Sequence, residues 1–296
     1  MRALSPVFMD ALQSGFLADL RRKVVEDPDL DLEIRKDYLN VYFKGNSLLK
    51  LTEARSHNGE SPRYLLDIHP KFLNGTANIP EALTDHRTTE QFLQNISALK
   101  QNIIIHGKQS LESEYEQLLI RANNAEERNN SEYFIIDRQY AVGNERFDLL
   151  AVCWDRKGRR RGQEVPLCLM ELKFALNPDI ADIHEQLTRY YDAVTPRVAG
   201  MAEEAERVFG QKLALGLYRQ SAERLAAMKT LTILRDLSRV QFILVLIDYN
   251  PHAKTLNLAR LAKLPFAGQV KLFWTGFAMW QNRLEQLETV ATPAAR

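Results

Sequence analysis

Apolar residues recur at helical spacing from the start of the chain. Phe8, Leu12, Phe16, Leu20 and Val24 form one stripe that ends at Asp27-Pro28. Ser5-Pro6 supplies a helix start, a capping side chain ahead of a proline in the first turn. The spacing predicts a helix running to Val24. The period then falls to two: Leu30, Leu32 and Ile34 alternate with charged residues, and apolar runs at 38–43 and 48–51 flank a Gly45-Asn46 turn. Residues 64–68 read as a further strand after a polar loop. The pattern predicts a small antiparallel meander with one helix. A helical stripe returns through Phe92, Ile96 and Leu99, and a boundary is expected near His106-Gly107.

Beyond that point the order changes. The periodicity predicts a helix at 111–122, strands at 133–142, 147–154 and 165–174, and a helix at 179–194, started by Asn177-Pro178 and ended by Thr195-Pro196. Two helices are expected within 197–237, then strands at 240–248 and 270–274. This divides the chain into an amino-terminal α+β accessory unit over 1–106 and an α/β unit over 107–296 with a helical insertion at 197–237.

Composition narrows the class. With 39 Lys and Arg against 38 Asp and Glu, the net charge of +1 creates no global basic field, so nucleic-acid binding must come from local patches. The first residues lack the apolar core of a signal peptide, and no apolar run reaches membrane-spanning length. A cytoplasmic location is the expectation. Cys153 and Cys168 fit neither metal-ligand spacing nor a disulfide framework; both should face the side of the sheet opposite Asp148 and Glu171 as free thiols.

Three ionised residues interrupt two of the apolar strands. Asp148 stands in Arg-Phe-Asp-Leu-Leu-Ala-Val, and Glu171 and Lys173 stand two apart in Leu-Met-Glu-Leu-Lys, hence on one face. Charges in such strands are costly unless they serve a purpose. A hard cation such as magnesium (or manganese) takes oxygen ligands and keeps several waters, so Asp148 and Glu171 suffice, with the main-chain oxygen of Leu172 a candidate third ligand. Lys173 could then hold attacking water or stabilise developing charge. The plain structural alternative is a salt-bridged trio at a sheet edge. On the following helix Gln186 and Tyr190 lie four apart, beside the stripe of Ile180, Ile183, Leu187, Tyr191 and Val194, where polar tips reach the sheet's end.

In the order Gly143, Asp148, Glu171, Lys173, Gln186, Tyr190, the chain resembles the PD-(D/E)XK nuclease superfamily, and more closely its RecB-like branch with a Gln-x-x-x-Tyr motif. The likeness covers roughly 110–248; Phe147 replaces the proline, and Gly143 is given a turn role only. The resemblance implies a restriction-endonuclease-like core, a mixed central sheet flanked by helices. It implies metal binding by Asp148 and Glu171, catalysis by Lys173, and support or substrate contact by Gln186 and Tyr190. It also implies a further Glu on the preceding helix. Glu112, Glu114 and Glu116 are available there, and Glu112 is chosen because it borders the buried face. Arg156, Lys157, Arg159, Arg160 and Arg161 form a basic turn between the two charged strands, a candidate phosphate contact and equally a soluble hairpin tip. His69 reads as structural, and His184 is expected to face solvent or a neighbouring helix.

The expected activity is therefore metal-dependent hydrolysis of DNA, leaving a 5′-phosphate and a 3′-hydroxyl, in repair, restriction or defence. The alternatives are a catalytically retired nuclease fold serving as a nucleic-acid-binding or scaffold protein, and a phosphodiesterase acting on RNA or a nucleotide. DNA is the expected partner, a membrane is not, and a homodimer is left open.

Overall fold

The computed structural model describes residues 2–54, 61–108, 111–125, 131–154, 164–174, 177–250 and 252–279. The amino-terminal half begins with α1 (Pro6–Gln13) and α2 (Ala18–Glu26). An antiparallel sheet follows, β1 (Leu30–Ile34), β2 (Tyr38–Phe43), β3 (Asn46–Glu53), β4 (Tyr64–Asp67) and β5 (Ala82–Leu83), in that spatial order. Helices α3 (His86–Leu93) and α4 (Ile96–His106) close this half.

The meander stands as expected, but each expected helix is two. The first breaks at Gly15, where a Cβ would meet Ala11 Cα at 2.8 Å, so only glycine lets the chain fold back this tightly. The break rotates the stripe: Leu17 is buried, and Phe16 only partly. The second breaks at Asn95, whose amide donates to Ala77 O and Gln91 O and whose Oδ1 accepts from Ala77 N, tying the inter-helix turn to a distant loop.

The carboxy-terminal half runs α5 (Leu111–Ile120), β6 (Tyr133–Val142), β7 (Glu145–Cys153), β8 (Glu164–Val165), β9 (Leu167–Phe174) and α6 (Ile183–Val194). It continues through α7 (Val198–Ala214), α8 (Ala222–Met228), β10 (Thr232–Ile233), β11 (Gln241–Ile247), α9 (Leu258–Leu261) and β12 (Val270–Thr275). Gly143, at φ +61°, makes the tight β6–β7 turn. The main sheet has the order β12-β11-β9-β7-β6; β7 is antiparallel to both neighbours, while β9, β11 and β12 are parallel. It is a mixed sheet covered on both faces.

Strand alternation sorts its side chains. Leu149, Ala151, Cys168, Met170, Leu172 and Val245 pack with Tyr115 and Leu119 of α5. Leu150, Val152, Leu167, Leu169, Leu244 and Leu246 share the other core with Ile183 and Leu187 of α6 and Val208 of α7. From Phe242 to Ile247 every residue of β11 is buried, as a strand covered on both faces requires. Both cysteines are free and lie on the α5 face, opposite Glu171, as parity indicates.

Near Gly107 the chain passes between the halves, yet one apolar core runs from Leu4 to Phe266 across that point. A buried ionic cluster also crosses it. Lys212 Nζ lies 2.8 Å from Glu33 Oε2, and Arg35 and Arg2 both pair with Asp137. Glu33, Arg35, Asp137, Arg138 and Lys212 are all buried. Ion pairs so enclosed add little net stability, but they penalise any misalignment of the halves severely. Among the described residues no helix is long and apolar enough to cross a membrane.

Candidate active site

Strands β7 and β9 pair from Val152↔Leu167 to Leu149↔Met170 and then separate. At the fork the next main-chain donor, Leu172 N–H, is accepted by the carboxylate of Asp148 at 2.8 Å. On its other side β7 loses its partner at the same position. The β6–β7 ladder skips from Arg138↔Leu149 to Tyr140↔Phe147, and the omitted residue, Gln139, adopts φ +51°. Asp148 therefore sits where pairing fails on both flanks, and its carboxylate stands in for the missing ladder acceptor of Leu172 N–H.

Glu171 and Lys173 share a face of β9, and Lys173 Nζ lies 2.7 Å from Glu171 Oε1. Helix α6 completes the cluster. Gln186 Nε2 donates to Glu171 Oε1 at 2.7 Å and to the Tyr190 hydroxyl at 2.6 Å. That hydroxyl lies 2.8 Å from Glu171 Oε2 and 2.9 Å from Arg146 O, so its one hydrogen serves one acceptor at a time. Tyr190 does more than flank the apolar stripe of α6. It is buried within that stripe, its ring 4.2 Å from that of Phe147, with only the hydroxyl directed at the carboxylate.

The electrostatics follow from burial and crowding. Asp148 is half-buried by surface, but protein surrounds its carboxyl; burial first, then Glu171, pushes it up to about 8. Lys173 is pulled down by burial, but Glu171, Asp148 and Glu112 outweigh this and hold its ammonium above the usual lysine value. Burial, reinforced by Glu171, raises the Tyr190 phenol, so it acts as a neutral donor.

Of the candidate glutamates on α5, Glu116 is the buried one. Its Oε2 accepts from Arg138 Nη2 at 2.8 Å and Nε at 3.1 Å, and its Oε1 from Gln139 Nε2 at 2.7 Å. The same Gln139 amide reaches Asp148 Oδ1 at 3.4 Å. Burial raises the Glu116 carboxyl, with Arg138 opposing. Glu112 stays partly exposed but lies close enough to act on both Lys173 and Glu116. The carboxylate wired to Asp148 is thus Glu116, one turn beyond the expected Glu112. Leu172, expected to serve through its main-chain oxygen, is tied to the site by its N–H on Asp148. Arg156, Lys157, Arg159, Arg160 and Arg161 lie outside the described residues.

Two residues of the cluster, Arg138 and Gln139, are missed by the sequence reading. A signal existed: Asp137-Arg138-Gln139 interrupts the apolar strand Phe134-Ile135-Ile136 before Tyr140, the same anomaly that marks Asp148. Comparison with family models, with curated proteins and with solved structures finds no match to this chain. The functional reading therefore stands on the residues themselves.

Whether a divalent cation suits these residues can be judged from their charge. Among the described residues no group of three or more His, Cys, Asp or Glu is clustered as a metal cage. Magnesium needs no such cage, since one or two carboxylates with water suffice. Burial and the neighbouring Glu171 raise the Asp148 carboxyl, which leaves it poised for protonation near neutrality. A divalent cation removes that penalty, so the pair fits one.

Proposed function

We propose that this chain is a metal-dependent nuclease hydrolysing phosphodiester bonds in DNA, with a PD-(D/E)XK-type site of the RecB-like kind. The observation that carries the reading is the convergence of Glu171, Lys173, Gln186 and Tyr190 into one hydrogen-bonded cluster at the end of the mixed sheet, with Asp148 joined to it through the Leu172 N–H. These residues come from three separate elements, β7, β9 and α6, yet each polar tip meets another group of the site. The helix–strand–strand–strand–helix–strand order around a sheet covered on both faces supports the restriction-endonuclease-like core.

Asp148 and Glu171 would hold magnesium or manganese, which when bound supplies acidification of water and neutralisation of charge on phosphate. The protein groups act around that centre. Gln186 and Tyr190 fix both oxygens of Glu171, so its orientation survives the approach of an anionic substrate. Lys173 keeps its proton beside Glu171 and presents a fixed cation toward a phosphoryl oxygen or the attacking water. Helix α5 supplies Glu116, which lies behind Asp148 through Gln139.

The test is a panel of labelled linear duplex, nicked duplex, single-stranded DNA and RNA, incubated with magnesium, manganese or chelator. Metal-dependent DNA cleavage, lost in Asp148→Ala and in Glu171→Ala, is the expected result. Cleavage of RNA alone moves the reading to a ribonuclease. Binding without cleavage under every condition moves it to a retired fold.

A further inference from the structure

Gln139 has three properties that no ordinary strand residue combines. Its backbone lies at φ +51°, in the left-handed region, although it has a long side chain. Such a conformation is costly for a non-glycine residue and persists only where surroundings enforce it. Its position is skipped in the β6–β7 ladder directly across from Asp148. Its amide is the bridge between two carboxylates, donating to Glu116 Oε1 at 2.7 Å and reaching Asp148 Oδ1 at 3.4 Å.

The surroundings that enforce the conformation come from the amino-terminal half. Arg2 Nη2 donates to the Gln139 carbonyl at 3.3 Å, and its Nη1 pairs with Asp137. Arg35 Nη2 donates to the Arg138 carbonyl at 2.9 Å, and its Nη1 also pairs with Asp137. The Arg138 side chain in turn grips Glu116. Two arginines from the first 35 residues thus hold residues 137–139 of β6 from one side, while the 138 and 139 side chains hold the site's carboxylates on the other.

We propose that Gln139 is a positioning residue of the site, which sets Asp148 against Glu116 from a strained backbone that Arg2 and Arg35 clamp. The mechanism is geometric. With its amide directed at both carboxylates, Gln139 restrains rotation of Asp148, whose other oxygen remains on Leu172 N–H. The amino-terminal half then acts on the chemistry through β6 without touching substrate. The catalytic consequence rests on the nuclease reading; the positioning itself does not.

The test uses the full chain and Gln139→Met, which keeps length and the backbone penalty but removes the amide. Gln139→Gly also removes the amide and relieves the φ strain, so a result is obtained even where the Met variant folds poorly. The direct readout is hydrogen exchange of the Leu172 amide by NMR. Because that amide is held by the Asp148 carboxylate outside the ladder, loosening Asp148 should speed its exchange at least about threefold in both variants. Met170 and Val152 amides, inside the sheet, should stay unchanged. In parallel, metal-dependent cleavage should lose at least about tenfold in kcat with little change in KM. An unchanged Leu172 exchange rate in folded variants overturns the proposal. Faster Leu172 exchange in a protein that cleaves no nucleic acid upholds the positioning role and removes the nuclease reading instead.

Discussion

Lys212→Met should destabilise the protein more than most single substitutions, and by an amount that depends on pH. Lys212 Nζ donates to Glu33 Oε2 at 2.8 Å and to Ile136 O at 2.7 Å, with Glu33 and Lys212 1 % and 4 % exposed. Removing the ammonium leaves a buried carboxylate with Arg35 Nη1, 3.5 Å away, as its remaining cation. Breaking an enclosed pair in this way costs about 3–5 kcal/mol. At roughly 2–4 °C per kcal/mol for a chain of this order, the melting temperature should fall by about 6–20 °C. Burial already raises the Glu33 carboxyl well above its ordinary value, and Lys212 opposes that rise. In the variant the folded-state value climbs further above the unfolded one. The folded protein then binds a proton that the unfolded chain does not, so stability is gained as pH falls through the folded value toward the unfolded value. The deficit against wild type should be larger at mildly alkaline pH and shrink at mildly acidic pH, toward the ordinary carboxylate range. Adding Glu33→Gln to Lys212→Met should recover part of the loss at high pH, because it removes the stranded charge. Urea unfolding of the wild type, both single variants and the double variant at both pH values tests this. A deficit below about 1 kcal/mol, or one independent of pH, refutes the reasoning.

Three further outcomes are expected. Lys173→Ala should lower turnover by at least about a hundredfold with KM changed less than about threefold, measured in steady-state cleavage assays, because a fixed ammonium matters most to charge that develops in the transition state. Tyr190→Phe keeps the ring against Phe147 but removes the hydroxyl bonded to Glu171; it should cost about 1–2 kcal/mol in thermal unfolding and reduce cleavage beyond what that loss explains. Replacing Arg159, Arg160 and Arg161 together with serine should weaken DNA binding and flatten its dependence on salt, by about 0.9 in log–log slope for each phosphate no longer neutralised, as read by fluorescence anisotropy.

Much of this molecule can be read from its residue pattern, and the reasons are local. Strand β6 emerges at Tyr133–Val142 from its period and composition alone. Glu171 and Lys173 are found because a charge in a strand otherwise fully apolar is an anomaly that alternation assigns to a face. Gln186 and Tyr190 follow from spacing on one helix. What escapes the pattern depends on contacts between distant segments. The break at Gly15 leaves the apolar stripe nearly intact, so periodicity runs across it. The burial of Glu116 among the glutamates of α5 turns on Arg138, which lies 22 residues from it and has no spacing relation to it. The role of Gln139 escapes for the same reason: the polar interruption at 137–139 marks the place, but the left-handed backbone and the failed ladder position opposite Asp148 belong to the fold.

The ionic cluster between the halves also constrains the order in which the chain can acquire its structure. Arg35 leaves the ribosome 102 residues before Asp137, and Glu33 is separated from Lys212 by 179 positions. Until those partners arrive, closing the first sheet over Glu33 and Arg35 would strand their charges away from water. The amino-terminal sheet can therefore form its ladders early but cannot seal its β1 side until β6 and α7 exist. Completion of the first-synthesised half is expected to wait on the synthesis of α7, well into the second.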